Sequence, residues 1–229
     1  MPQAFVQIRK LYHLPEKQNY GFTEAEVASL EKKLNLALPP SLKTYYLTLG
    51  RHSGINFSHN RLLQPEKEVY FSIDRYLILY EENQVVAFWG IKEKELRLDN
   101  PPIYGNYSPN RKTPDWFLEA KTTSDFFLLM AVYNGVFGGL KFNASFFGQV
   151  NEETVRFIEE KWVLVEAISR ENQRVYTDQF HEVISLSFDI NDGCTGIFIG
   201  TSSQERFDSL LSVIKTDWYY TSYDDMEEV

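Results

Sequence analysis

Residues 76–91, which read YLILYEENQVVAFWGI, decide the fold. Two runs rich in aromatic and β-branched residues, 76–81 and 85–91, flank the polar residues 82–84. Runs of this composition are typical of strands, and a short polar connection between them predicts a β-hairpin. The segment therefore predicts two neighbouring antiparallel strands at the heart of a sheet.

More strands are predicted on the C-terminal side of this hairpin. The turn residues DNPP at 99–102 precede a strand over 103–107, and a polar loop over 108–113 precedes another over 116–120. Because all of these connections are short, we expect the strands to pair in a mainly antiparallel sheet.

Helices are predicted on both sides of these strands. Thr23 and Glu26 have the spacing of a capping box, and apolar residues at 27, 30 and 34 give the following helix an apolar face. Two prolines at 39 and 40 end that segment and suit the first turn of a second helix over 41–49. A third, largely apolar helix is predicted over 125–133.

The last third of the chain repeats an alternation of helix and strand. Helices are predicted over 152–161 and from 203 to 214, and strands over 162–169, 183–189, 195–200 and 217–221. The tripeptide NDG at 191–193 predicts a hairpin turn. We therefore expect an α+β fold in which helices pack on a mainly antiparallel central sheet over residues 1–150, with a smaller acidic C-terminal α/β module over 151–229.

Composition and charge restrict the class of protein. The chain has 229 residues, of which 43% are apolar and 15% aromatic, so it is expected to bury a core without disulfides. No apolar run approaches the ~20 residues that cross a bilayer, and Arg9 and Lys10 interrupt any signal-peptide core. We expect a cytoplasmic protein that binds no membrane.

The net charge of −9 is unevenly distributed. Residues 1–150 carry 17 Lys and Arg against 15 Asp and Glu, whereas residues 151–229 carry 6 against 17. Such a surplus of acid repels nucleic acid and attracts basic partners, although it also serves solubility. We therefore expect no nucleic-acid binding.

The residue types that carry catalysis are few and badly spaced. No two of the four histidines have the i, i+4 spacing of a helical zinc site, and no glycine pattern matches a nucleotide-binding loop. The single cysteine, Cys194, lies near Asp189 and Asp192, whose charges favour the unreactive thiol. The sequence predicts no catalytic residue, no cofactor and no metal. One enzymatic alternative stays open, a hydrolase in which His52 or His59 activates a neighbouring serine.

The hairpin and its surroundings resemble the SUKH superfamily. The resemblance covers about residues 20–150 and rests on ENQVVAFWGI at 82–91 and DNPPIY at 99–104, with LPPSL at 38–42 and SDFFL at 124–128. Two positions depart from the family pattern. Val85 stands where a glycine usually follows the glutamine, and Leu49 stands before Gly50 where the family has asparagine.

The resemblance implies a non-enzymatic α+β binding fold without catalytic residues. Many bacterial members look like immunity proteins, which bind and neutralise a cognate polymorphic toxin, often a nuclease. A eukaryotic relative is a regulator of yeast cell-wall synthesis. For this chain the resemblance and the acidic last third together predict an immunity protein with a basic toxin as its partner, of unassigned oligomeric state.

Partner-binding residues are expected in the motif turns and among acidic and aromatic residues near the C-terminus, where carboxylates mimic phosphates and aromatic side chains anchor the contact. The candidates are Glu82, Asn83, Gln84, Asp99, Asn100, Asp217, Trp218, Tyr220, Asp224 and Asp225. The alternative interpretation gives the motif residues a role in turn chemistry and the C-terminal aromatic residues a role in the core. The alternative function is a cytoplasmic regulatory or scaffold protein without a toxin partner.

Overall fold

The computed structural model describes residues 1–108 and 114–226. Its helices are α1 (Gln3–Leu11), α2 (Glu24–Leu34), α3 (Pro40–Thr48), α4 (Ser53–Asn56), α5 (Thr123–Asn134), α6 (Glu152–Lys161) and α7 (Gln204–Val213). Its strands are β1 (Arg61–Leu62), β2 (Tyr70–Phe71), β3 (Tyr76–Glu81), β4 (Phe88–Lys92), β5 (Ile103–Asn106), β6 (Trp116–Ala120), β7 (Phe142–Phe147), β8 (Val163–Leu164), β9 (Gln173–Thr177), β10 (Glu182–Phe188), β11 (Cys194–Thr201) and β12 (Tyr220–Thr221). None of the helices described is long and apolar enough to cross a membrane.

The chain divides into two compact units. The first unit comprises Met1–Val6 and Glu16–Ala131, and the second comprises Gln7–Pro15 and Val132–Val229. Each unit has its own six-stranded sheet, and the strand pairs in both sheets are antiparallel. The predicted α+β fold, with helices packed on antiparallel sheet, is confirmed.

The first sheet has the strand order β1-β3-β4-β5-β6, and β2 also pairs with β3. The predicted hairpin is formed by β3 and β4, which pair from Tyr76 opposite Lys92 to Glu81 opposite Phe88. Its connection is longer than predicted because β4 begins at Phe88, three residues later than the apolar run. The chain turns over residues 82–87, where Val85 adopts the left-handed conformation with φ 61°.

Helices α2 and α3 begin where the sequence indicates. The Thr23 hydroxyl accepts a hydrogen bond from the Glu26 N–H, and the Glu26 carboxylate accepts one from the Thr23 N–H, so the capping box is complete. Helix α3 presents Tyr45 to the core, where its ring stacks on Phe127 with the centroids 3.5 Å apart. The Tyr45 hydroxyl donates to the buried Asn56 side chain at 2.8 Å, which satisfies the polar groups of both residues.

The second sheet has the strand order β12-β7-β11-β10-β9-β8. Alternate residues of β7, β10 and β11 build an apolar core against α6 and α7, as the period-two alternation of a strand requires. Phe207 of α7 is fully buried there, with its ring 5.7 Å from Phe142 and 5.3 Å from Tyr223.

Several predicted boundaries differ from the structure. The run 162–169 was expected to be one strand, but only β8 forms, since the chain turns after Leu164 into a single helical turn, Glu166–Ile168. Strand β7 was not predicted and pairs with β11, so the second unit begins near residue 132 and takes in residues that the sequence assigned to the first domain. Helix α1 and strand β9 were also missed.

Candidate protein-binding site

The motif residues 82–84 form the turn between β3 and β4. One oxygen of the Glu82 carboxylate accepts a hydrogen bond from the Gln84 N–H at 2.7 Å, which fixes the turn. Asn83 lies 3.4 Å from the His59 ring, measured between its Nδ2 and the ring Nδ1. Asn83 and Gln84 are exposed, together with Val85 and Val86. These contacts support the turn-chemistry interpretation and leave the tip of the turn accessible.

The second pair of motif residues joins two helices to the first sheet. The Asn100 side-chain oxygen accepts hydrogen bonds from the Ser124 N–H at 3.0 Å and from the Ser124 hydroxyl at 3.1 Å, at the start of α5. The Asp99 carbonyl accepts the Ser41 N–H at 3.0 Å, at the start of α3. Both residues therefore satisfy free backbone donors at helix N-termini.

The structure does not bring the two motif turns together. Strand β4 pairs with β5 so that Phe88 faces Asn106 and Gly90 faces Tyr104. The turn 82–87 thus lies at the Asn106 end of β5, whereas Asp99 and Asn100 precede its other end. The two predicted sets lie at opposite ends of the sheet, separated by the length of a strand, roughly 15 Å.

The predicted C-terminal residues are partly used within the second unit. Trp218 packs against the core cluster and is not an exposed anchor. The Tyr220 hydroxyl donates to Asp225 at 2.6 Å, and the Asp224 carboxylate accepts the Thr221 N–H at 2.8 Å. Burial, with the neighbouring Asp225 carboxylate, raises the pKa of Tyr220 to about 12. Asp217 is exposed.

A different part of the second unit gathers features of a binding surface. At the end of the sheet where residues 189–193 join β10 to β11, three clefts of about 500, 410 and 290 Å³ open within the unit. The first two share Arg174, Phe188 and Asp192, and Asn172 lines both the first and the third. We call this region the hairpin end. It is bounded by residues 147–159, 171–174 and 187–194.

Arg174 lies at the centre of the hairpin end, between the first two clefts. The Arg174 guanidinium lies 3.9 Å above the centre of the Phe188 ring, close enough for a cation–π interaction. It forms ion pairs with Asp192 at 2.5 Å and with Glu159 at 3.6 Å. The Tyr176 hydroxyl donates to the same Glu159 at 3.1 Å, and burial together with this carboxylate raises the pKa of Tyr176 to about 12.

Three other carboxylates line the clefts of the hairpin end without forming an ion pair among the described residues. Glu152, Glu171 and Asp189 line the clefts, and within residues 1–108 and 114–226 none of them forms an ion pair. Asp189 accepts the N–H groups of residues 191 and 193 at 2.8 and 2.9 Å, which holds the turn in shape. Among the described residues the region therefore holds three carboxylates without an ion pair, with Arg156 in the lining of the same cleft as Glu152.

Large apolar side chains are exposed to solvent at the same end of the second sheet. Phe147 is 56% exposed and Tyr219 79% exposed, and their ring centres are 5.8 Å apart. The ring centre of Phe147 also lies 5.2 Å from that of Phe198, and both residues line the smallest of the three clefts. Ile190, in the β10–β11 turn, is fully exposed. Exposed apolar residues beside charged ones are typical of protein–protein contacts.

Sequence reasoning missed most of this surface, although two signals were present. Ile190 is an apolar residue inside the turn sequence DINDG, where packing offers it no partner. Phe146 and Phe147 are adjacent in a strand, and because side chains alternate, one of the two has to point away from the helix-packed core. The contact between Arg174 and the Phe188 ring depends on the register in which β9 pairs with β10. No local sequence pattern indicates it.

The groups considered for catalysis have roles within the fold. The ring Nδ1 of His52 accepts the Ile55 N–H at 3.3 Å, and the Ser58 hydroxyl donates to the Gly54 carbonyl at 3.0 Å. Burial lowers the pKa of both His52 and His59. None of these contacts supports the hydrolase alternative.

Cys194 is buried, and burial is the main cause that raises its pKa. The acidic residue that adds to this effect is Glu159, and not Asp189 or Asp192, on which the sequence argument relied. Its thiol lies 3.6 Å from the Gly196 carbonyl oxygen. Across the described residues, no group of three or more His, Cys, Asp or Glu side chains is placed to hold a metal ion.

Comparisons with known proteins add no relative. No protein-family model matches the chain, and neither a curated protein nor a solved structure was found to be similar to it.

Proposed function

We propose that this chain is a non-enzymatic protein-binding protein of the immunity type, which neutralises a basic cognate toxin, most often a nuclease in this class, by direct contact. The observation that carries the proposal is the hairpin end, where carboxylates without an ion pair line clefts that mix polar and apolar side chains. The motif resemblance at residues 82–91 and 99–104 supports the same class.

The charge of the hairpin end suits a partner with a phosphate-binding surface. A nuclease has cationic groups that receive the backbone of its substrate, and exposed carboxylates offer those groups an alternative ligand. Opposite charges also raise the rate of encounter, and this effect weakens as salt shortens the screening length. Binding is therefore expected to be fast at low salt and to slow as salt is added.

The exposed apolar residues supply the other half of the proposed contact. Charge increases the association rate, whereas slow dissociation depends on a few well-buried side chains. Phe147, Ile190 and Tyr219 are the large apolar groups at this end that stand in solvent. They are expected to become buried in the complex.

The first experiment measures protection and binding together. The chain is co-expressed with the product of a neighbouring toxin gene, and cell survival is scored, while the association rate of the purified pair is measured at low and high salt. The expected result is survival with a salt-sensitive association rate. Failure of protection together with absence of a complex at low salt would refute the proposal. Capture of several host proteins, with no toxin gene nearby, would favour the regulatory or scaffold alternative.

A matched pair of variants locates the contact. The triple variant Glu152→Gln, Glu171→Gln and Asp189→Asn removes three negative charges from the hairpin end and keeps hydrogen-bond acceptors. The control variant Glu16→Gln, Glu24→Gln and Glu66→Gln removes three exposed charges from the first unit. We expect the first triple to lower the association rate about tenfold at low salt and the control to lower it much less. Equal effects would place the contact elsewhere.

A further inference from the structure

The smallest of the three clefts in the second unit, of about 290 Å³, differs from the other two in its chemistry. The two larger clefts are lined by charged residues, among them Arg174 and Asp192. None of the described residues that line the smallest cleft is charged. A charged ligand would lose its hydration there without gaining a counter-charge, so the lining favours a neutral ligand.

The strand register places this cleft on the face of the second sheet that points away from the core cluster. Phe147 of β7 lies opposite Gly196 of β11. Gly196 in turn lies opposite Ser187 of β10, which lies opposite Gln173 of β9. The Phe198 ring fills the space beside Gly196, since a Cβ at Gly196 would come within 3.0 Å of it. The cleft therefore has an aromatic end on β7 and β11 and a polar end on β10 and β9.

The rings of the aromatic end are tilted relative to one another. The ring centre of Phe198 lies 5.1 Å from that of Phe137 at an angle of 50°, and 5.2 Å from that of Phe147 at 79°. Because neither pair is parallel, the rings do not form a slot that holds a flat ligand between two faces. The face of an aromatic ring attracts weakly positive C–H groups, so a puckered ring that carries C–H groups fits this end.

The polar end carries amide and hydroxyl groups. The Gln173 amide nitrogen donates a hydrogen bond to the buried Ser185 hydroxyl at 3.0 Å, which orients both side chains. Among the described residues, the Gln173 side-chain oxygen, the Asn172 amide and the Ser187 hydroxyl form no hydrogen bond. Amides and hydroxyls together offer donors and acceptors, and the hydroxyl groups of a sugar can match either.

We propose that the smallest cleft binds a neutral sugar ring of hexose size, with the C–H face of the ring on the aromatic end and its hydroxyls on the polar end. Small-molecule sites commonly have volumes of about 300–1,000 Å³, and a cleft at the lower limit suits a single ring. This proposal does not depend on the proposed immunity function, because a free sugar and the purified chain are sufficient to test it.

NMR titration of the full chain tests the binding. The probes are glucose, galactose, mannose and N-acetylglucosamine at up to roughly 50 mM, because a ligand of this size is expected to bind with a millimolar Kd. Saturation is expected to pass from the protein to the C–H protons of at least one of these sugars. The amide signals that shift are expected to be those of β7, β9, β10 and β11.

A pair of variants tests the aromatic end. Phe147→Ala removes a ring that is 56% exposed, so the fold is expected to persist, and it should raise the Kd of the bound sugar about tenfold. The matched control Phe117→Ala removes a ring that is 60% exposed in the first unit and should leave the Kd unchanged.

A second pair tests the polar end. Asn172→Ala removes an exposed amide from the lining of the cleft and should raise the Kd about threefold. The matched control Asn191→Ala removes an exposed amide from the β10–β11 turn, which lines a different cleft, and should leave the Kd unchanged. The dispersion of the amide spectrum confirms that each variant is folded.

Three results would overturn the proposal. The first is the absence of binding by all four sugars. The second is binding of a nucleoside, such as adenosine or uridine, without binding of any hexose, since the site would then accept a flat ring. The third is sugar binding that both Phe147→Ala and Asn172→Ala leave unchanged, which would place the sugar outside this cleft.

Discussion

The two units are built on the same kind of sheet but use charge differently. The first unit has 14 Lys and Arg against 15 Asp and Glu, and ion pairs among its described residues involve five carboxylates: Glu26, Glu31, Glu68, Glu81 and Glu93. The second unit has 9 against 17, and over its described residues two arginines form ion pairs with four carboxylates. A larger share of the carboxylates is therefore ion-paired in the described part of the first unit than in that of the second.

The largest expected effect comes from removing a core side chain of one unit. Phe207→Ala deletes a fully buried ring of the second core and is expected to lower the free energy of unfolding by about 3–5 kcal/mol. Hydrogen exchange should show reduced protection mainly in β7, β10 and β11, because their residues line that core.

The matched variant Phe126→Ala, in the first core, should reduce protection mainly in β3 and β4, since the Phe126 ring contacts Tyr80 and Trp89. Equal loss of protection in both sheets for either variant would contradict the division into two separately stabilised cores.

The two units also differ in how far the sequence predicted them. In the first unit, local signals determine the elements: a capping box begins α2, prolines begin α3, and a turn separates β3 from β4. In the second unit, the strong apolar run at 162–169 was misassigned and the weak segments at 142–147 and 173–177 were missed. Strand β7 forms because β11 offers it a partner far along the chain, where Phe147 faces Gly196, and pairing across long sequence separation has no local signature. Strand β9 pairs with β10 across the short connection 178–181, and this hairpin was missed because its left-handed turn residues are Gln179 and Phe180 instead of the usual asparagine and glycine.

The candidate site was likewise predicted only where the signal is local. The sequence indicated the acidity of the last third and the turn at 191–193, because composition and turn residues are local properties. The predicted anchor Trp218 lies against the core, while Tyr219 beside it is exposed. Which of two adjacent aromatic residues faces solvent depends on the strand register, and the sequence does not specify it.

The next largest effect concerns the ion pair between Arg206 and the buried carboxylate of Glu182 in the second unit. Glu182 is 5% exposed, and its two oxygens accept hydrogen bonds from Arg206 and from the Trp162 indole. Arg206→Ala leaves this carboxylate buried with one donor and is expected to cost about 2–3 kcal/mol, less than a fully buried pair because Arg206 is partly exposed.

The control is the exposed ion pair of the first unit. Glu93→Gln, which breaks the pair with Arg75, should lower the free energy of unfolding much less than Arg206→Ala does, because water and salt screen exposed pairs. Urea unfolding measures both variants, and similar costs would contradict the distinction.

A smaller effect is expected from pH, through a tyrosine of the second unit in alkali and through two carboxylates of the first unit in acid. Burial and Glu159 raise the pKa of Tyr176 to about 12, so the native second unit holds this proton where the unfolded chain releases it. Its stabilising contribution is present below the ordinary pKa of about 10 and is lost as the pH rises toward 12. Tyr176→Phe should flatten this alkaline loss, at a cost near neutral pH of about 1 kcal/mol for the hydrogen bond.

The first unit should instead lose stability in acid. The hydrogen bond from the Thr23 N–H is the main cause that lowers the pKa of Glu26. Burial raises the pKa of Glu68, but the Gln64 N–H and Arg61 together lower it more. Both contributions are present above the ordinary carboxyl pKa and are lost as the pH falls through the lowered values. Hydrogen exchange at low pH should therefore show earlier loss of protection in the first unit, and earlier loss in the second would contradict this assignment.

The smallest expected effect compares the two hairpin turns. Val85 in the first unit and Asp192 in the second have nearly the same left-handed φ, 61° and 62°. Aspartate tolerates this conformation, whereas a β-branched valine is strained in it. Val85→Gly is expected to stabilise the chain by about 0.5–1 kcal/mol and to raise the midpoint of thermal unfolding by about 2 °C, because release of strain exceeds the entropy that glycine adds to the unfolded chain. Val86→Gly, at the exposed neighbour outside the left-handed region, should destabilise by a similar amount. If both glycine variants lowered the midpoint, the strain at Val85 would be smaller than its backbone angle indicates, and the first hairpin would be as relaxed as the second.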